Sequence, residues 1–109
     1  MRTIVNRFIP FKGFKAINLF GFVFVRKGTK MKPYDYNHEA IHTVQMKELC
    51  YFGFYFIYIC EWLYHLIRTR SLKKAYRTIS FEREAFANQS NYRYLKARYP
   101  FAQWRSELQ

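Results

Sequence analysis

From His38 to about Arg70 the chain contains no proline and only one glycine. A helix of that extent dominates what 109 residues can build. At 1.5 Å per residue it would run roughly 48 Å. Gly53 is its only weak point, costing about 1 kcal/mol relative to Ala, so a bend or break is expected there. A chain of this length makes one domain with a modest core and no room for a separate module.

Ahead of the helix, Arg2 to Ile9 leans towards β and Pro10 interrupts it. Ala16 to Arg26 alternates, with Ile17, Leu19, Gly21, Val23 and Val25 on one side and Asn18, Phe20, Phe22 and Phe24 on the other. Both sides are largely apolar, as in a strand covered on two faces. Arg26-Lys27-Gly28-Thr29 supplies a turn, and Met31 to Tyr36 reads as a loop in which Asp35 or Asn37 caps the helix. Beyond the long helix comes a basic run of Arg68, Arg70, Lys73, Lys74 and Arg77. Ser80 is a good N-cap for a second helix running from Phe81 to about Tyr99, before Pro100. Its first turn holds Glu82 and Glu84, where the helix dipole favours carboxylates. The expected fold is α+β. Residues 1–36 form a β-hairpin or small sheet and a loop, 37–70 the long helix, and 80–99 a glutamate-bearing helix.

The start of the long helix spells His38-Glu39-Ala40-Ile41-His42, the pattern H-E-x-x-H. On a helix the two histidines stand one turn apart on one face and can close on a single cation. Two neutral imidazoles suit Zn2+, and Glu39 then lies beside any water the metal holds, in the position of a general base. A catalytic zinc needs a third protein ligand. His65 would lie roughly 35–40 Å further along a straight helix, too far to join. The chain has only seven acids, and Glu82 and Glu84 are the only close pair among them, so one of these two carboxylates is the expected third ligand.

These residues resemble the zincin peptidases, and specifically the gluzincin-like group. There H-E-x-x-H is followed on a later helix by a glutamate in an E-x-x-A or E-x-E-A context. Glu82-Arg83-Glu84-Ala85 fits with Glu82 as ligand; Glu84-Ala85-Phe86-Ala87-Asn88 fits with Glu84 as ligand and Asn88 orienting a histidine. His38 to Gln45 extends the match, because H-E-x-x-H-x-x-Q is similar to a motif of small predicted bacterial metallopeptidases, with Gln45 behind the ligands. The resemblance covers roughly Asn18 to Asn88 and implies a minimal zincin-like domain. It implies a hydrolase in which zinc polarises a peptide carbonyl and Glu39 moves the proton. The strand bearing Asn18, Phe20, Phe22 and Phe24 would align an extended peptide or protein substrate. Tyr76, Arg77 and Tyr92 are candidates for steadying the oxyanion.

Composition adds a second theme. Lys and Arg total 19 against 7 acids, a net charge of +12, and aromatics make up 22% of the residues. Such basicity implies an anionic partner, either nucleic acid or the cytoplasmic leaflet of a membrane. The aromatic content favours the membrane surface. Leu49–Ile67 reads as a span, an interfacial helix or a protein core; Glu61 and His65 within it oppose a simple span and suit a buried hydrogen-bonded pair. Localisation is therefore expected on the cytoplasmic side of the membrane, peripheral or single-span, or else cytoplasmic. Cys50 and Cys60 are expected as buried reduced thiols on one helix, about 15 Å apart. The first residues have no long apolar core, so no signal peptide is expected. Two alternatives stand beside the peptidase: a catalytically inactive zinc-binding or structural protein, and a basic nucleic-acid-binding protein using the basic run and stacking tyrosines.

Overall fold

The structure, a computed structural model, describes residues 2–7 and 15–105. It is α+β, with a small mixed sheet at the N-terminal end and helices after it. Strand β1 (Arg2–Asn6) pairs parallel to β3 (Phe22–Arg26), and β2 (Ala16–Leu19) pairs antiparallel to β3, giving the order β1-β3-β2. The segment Ala16 to Arg26 is thus a hairpin rather than one strand. Phe20 (φ 56°) and Gly21 (φ 90°) form its turn, both at the positive φ that two-residue hairpin turns use. The turn changes the parity of the alternation. Asn18 faces Val23, so buried Asn18 of β2 shares a face with Val23 and Val25 of β3. Ile9 and Pro10 lie outside the described residues.

Helix α1 (Pro33–Glu48) begins four residues before the expected start. Pro33 at its first position is pre-set for helix, and the Asp35 carboxylate accepts the Lys32 backbone N–H at 2.9 Å. The anticipated Pro-containing loop is therefore mostly first turn. Asn37 caps a different helix end: its amide donates to the carbonyls of Asn88 (3.2 Å), Gln89 (2.8 Å) and Asn91 (3.1 Å). Buried His38, Ile41, His42, Gln45 and Met46 make the inward stripe of α1 at helical spacing.

The long helix does break, though at residues 49–51, just ahead of Gly53 rather than at it, where Cys50 (φ 54°) and Tyr51 (φ 62°) adopt positive φ. Gly53 falls in the first turn of α2 (Phe52–Thr69), where a Cβ would sit 3.4 Å from that of Leu49. The break folds α2 back, so that Phe54 meets Met46, Ile79 and Phe81 in the main apolar core, with Tyr55, Tyr58 and Trp62 packed against it.

The basic run is divided: Arg68 and Arg70 end α2, while Lys73, Lys74 and Arg77 lie on α3 (Leu72–Thr78), with the Ser71 hydroxyl accepting the Lys74 N–H. Helix α4 (Ser80–Asn88) carries the glutamates but ends eleven residues before Tyr99, and a separate short α5 (Tyr94–Ala97) follows. Ser80 is the first residue of α4 rather than its cap. The Glu61 carboxylate, reaching from α2, accepts the Ser80 N–H (2.9 Å) and hydroxyl (2.7 Å). This replaces the expected Glu61–His65 pairing. Both cysteines are free, as expected, but exposed rather than buried, and Cys50 lies in the break rather than on a helix with Cys60. Among the described residues no helix is long and apolar enough to cross a membrane.

Candidate metal centre

Helices α1 and α4 lie side by side and bring His38, His42 and Glu82 together, all buried. The three atoms that meet form a nearly equilateral triangle. His38 Nε2 and His42 Nε2 are 3.1 Å apart, and each is 3.1 Å from Glu82 Oε1. Such a group can hold one metal ion.

The surroundings fix which ring nitrogen is available. The Gln45 amide nitrogen donates to Phe81 O (3.1 Å) and Glu84 Oε1 (2.8 Å), so its oxygen is the atom turned to His42 Nδ1 at 2.8 Å. His42 therefore donates from Nδ1 and leaves the Nε2 lone pair facing the triangle. Gln89 Oε1 lies 2.8 Å from His38 Nδ1 and sets that ring in the same way. The Tyr58 hydroxyl donates to Glu82 Oε2 at 2.7 Å, leaving Oε1 for the triangle. Three acceptors aimed at one point repel unless a cation sits among them. In the bare protein a proton serves: burial lowers the His42 pKa, but Glu82 outweighs that and pushes it up to about 9. Burial likewise opposes ionisation of Glu82, yet the two histidines hold its carboxyl well below the usual range.

Glu84, the alternative ligand, turns the other way. Arg98 and Tyr94 donate to its carboxylate, as does Gln45, and Arg98 also reaches Glu48 at 3.0 Å and Gln103 at 2.7 Å. Asn88 touches neither histidine; its amide donates to the Glu84 backbone carbonyl at 2.9 Å. The residue that orients His38 is Gln89, one position on. Gln89 follows Glu82 by seven, two helical turns and one face, and that spacing is the signal that could have found it. Tyr58 carried no comparable signal, because it reaches the site only through the break between α1 and α2.

Glu39 is buried beside the triangle, and its Oε2 has no hydrogen-bond partner. Burial raises its pKa, against the pull of His42 and His38. Glu39 lines two cavities, one of about 760 Å³ that also touches His38, Tyr76 and Arg77, and one of about 310 Å³ that also touches His42, Glu82 and Tyr76. Of the three candidates for an oxyanion contact, Tyr76 borders both cavities and Arg77 the larger one, with its guanidinium 3.8 Å over the Phe86 ring. Tyr92 borders neither and is largely exposed.

The strand residues divide. Asn18 is a tie rather than a free contact: its amide donates to Glu39 O (3.0 Å) and Thr43 Oγ1 (2.9 Å), and its Oδ1 accepts the Gly21 N–H (3.0 Å). Phe20 is in the turn. Phe22 and Phe24 belong to the central strand, which is paired on both sides. The edge beside the site is β2, where Ala16, Ile17 and Asn18 line the smaller cavity.

No family model matches the chain, and no curated protein or solved structure matches it either.

Proposed function

We propose that this protein is a zinc-dependent peptidase of gluzincin-like type. The observation that carries the reading is an unpartnered, buried Glu39 carboxylate beside a triangle of two imidazole nitrogens and one carboxylate oxygen. The donor set fits zinc: ligands held tetrahedrally at 2.0–2.1 Å lie about 3.3 Å from one another, close to the 3.1 Å edges found here. His38, His42 and Glu82 would hold the ion. When bound, zinc supplies Lewis acidity and makes water acidic enough to lose a proton near neutral pH.

The remaining work falls to the chain's own residues. Gln45 and Gln89 keep the Nδ1 protons in place, and Tyr58 holds Glu82 so that one oxygen faces the site. Glu39 takes a proton from the attacking water and hands it to the departing amine. Tyr76 stays protonated, since burial and then Glu82 raise its pKa, and as the candidate that borders both cavities it is our choice for steadying an oxyanion. The β2 edge offers backbone groups to an extended peptide. At Asn18 the backbone carbonyl already accepts the Tyr55 hydroxyl at 3.1 Å, which leaves Ala16 to make that pairing.

The test compares wild type with Glu39→Gln on a quenched fluorescent peptide library, beside elemental analysis. The expected result is one zinc per chain in both proteins and hydrolysis only in wild type. Equal hydrolysis by the variant refutes the role of Glu39. Zinc without hydrolysis in either protein favours the catalytically inactive zinc protein instead.

A further inference from the structure

One face of α2 is covered by nothing in the described fold. Phe52, Phe56, Ile59, Leu63 and Ile67 recur at steps of three and four, so they form one stripe about 22 Å long. Their exposures run from 47% at Leu63 to 78% at Phe52, while Phe54 on the opposite face is buried. Phe20 at the hairpin turn extends the stripe, with its ring 5.8 Å from that of Phe52. An apolar band of this size on an exposed helix marks an interaction surface.

Charge identifies what covers it. The stripe ends at Arg68, Arg70, Lys73 and Lys74, all exposed. The single acid between residues 52 and 74, Glu61, is turned inward onto Ser80. An apolar stripe that runs into cations paired with no acid among the described residues complements a surface with acyl chains beneath and negative charge above. A second copy of this chain would bring another +12 to the same place.

We infer that the outer face of α2 seats the protein on an anionic lipid bilayer. Phe52, Phe56, Ile59, Leu63 and Ile67 enter the acyl boundary, and the basic residues at the start of α3 meet the headgroups. The helix lies in the plane of the surface, because its other face is occupied by Phe54, Tyr58 and Trp62 in the core. Lys73 also borders the larger cavity, but the inference uses neither the triangle nor Glu39, and vesicle binding tests it apart from them.

The experiment is co-sedimentation of the full chain with phosphatidylcholine vesicles, with and without phosphatidylserine, at low and high salt. Binding is expected only to the phosphatidylserine vesicles, and it should weaken with salt. Phe56→Glu/Ile67→Glu and, separately, Lys73→Glu/Lys74→Glu should each lower it at least about tenfold. All four positions are exposed, and unchanged circular dichroism confirms that the variants fold. Wild-type binding that either folded variant retains overturns the inference. So does a dimer, seen by sedimentation velocity, that Phe56→Glu/Ile67→Glu abolishes while wild type ignores vesicles.

Discussion

The side-chain amide of Gln45 stands between His42 and Glu84, accepting from the ring Nδ1 at 2.8 Å and donating to the carboxylate at 2.8 Å. Because Gln45 is fully buried, its orientation is set by these partners and by Phe81 O rather than by water. Glu84 is in turn held by Arg98, so a guanidinium two contacts removed from the ring helps decide which nitrogen of His42 faces the triangle. The two glutamates of one helix thus divide the work, Glu82 in the triangle and Glu84 behind it.

Replacing Gln45 by Leu should therefore harm metal binding without touching a ligand. Loss of an orienting partner of this kind costs about 10–100-fold in metal affinity. Competition against a chromophoric chelator would measure it, and an unchanged affinity would show that His42 needs no such support.

Gln89 and Asn88 offer a paired comparison. Gln89→Ala should weaken zinc binding about 10–100-fold, because it frees the His38 ring. Asn88→Ala removes only a bond to the Glu84 carbonyl and should leave affinity within about twofold of wild type. The reverse ranking would mean that Asn88 holds the histidine.

Arg98 is a stability prediction. Its side chain is 3% exposed and serves both Glu84 and Glu48. Arg98→Met leaves two carboxylates without their shared cation and should cost about 3–5 kcal/mol in urea unfolding. A cost below about 1 kcal/mol would mean that the pair is better hydrated than its burial indicates.

The metal-free protein should also respond to pH. Its His42 is pushed up to about 9, above the 6.5 of an unconstrained histidine, so the folded state binds that proton more tightly than the unfolded chain. The resulting stability is complete below pH 6.5 and drains away as pH rises through 9. Glu82, shifted downward, loses its part of the interaction only in acid. Thermal melts in chelator should fall between pH 6.5 and 9, and melts of zinc-loaded protein should not. Parallel profiles would contradict the linkage.

The three residues of the triangle were readable because each reports locally. His38 and His42 share a face by their spacing, and Glu82 belongs to the only close acidic pair in the chain. The features that were not readable are those without punctuation. Leu49-Cys50-Tyr51 contains neither proline nor glycine, yet two of these residues take positive φ. Phe20 does the same inside what looks like unbroken alternation, and the parity change it introduces moves Asn18 onto the buried face. Glu61 stabilises the start of α4 across nineteen residues, a relationship that only the tertiary fold creates.

The interruption after α1 has one last consequence. On an unbroken rod Tyr58 would stand about 24 Å beyond His42; instead its hydroxyl touches the carboxylate that faces both imidazoles. By folding back on α1, α2 gives the triangle an opposing wall. The three residues of that elbow, 49–51, are what bring Tyr58 within reach of Glu82.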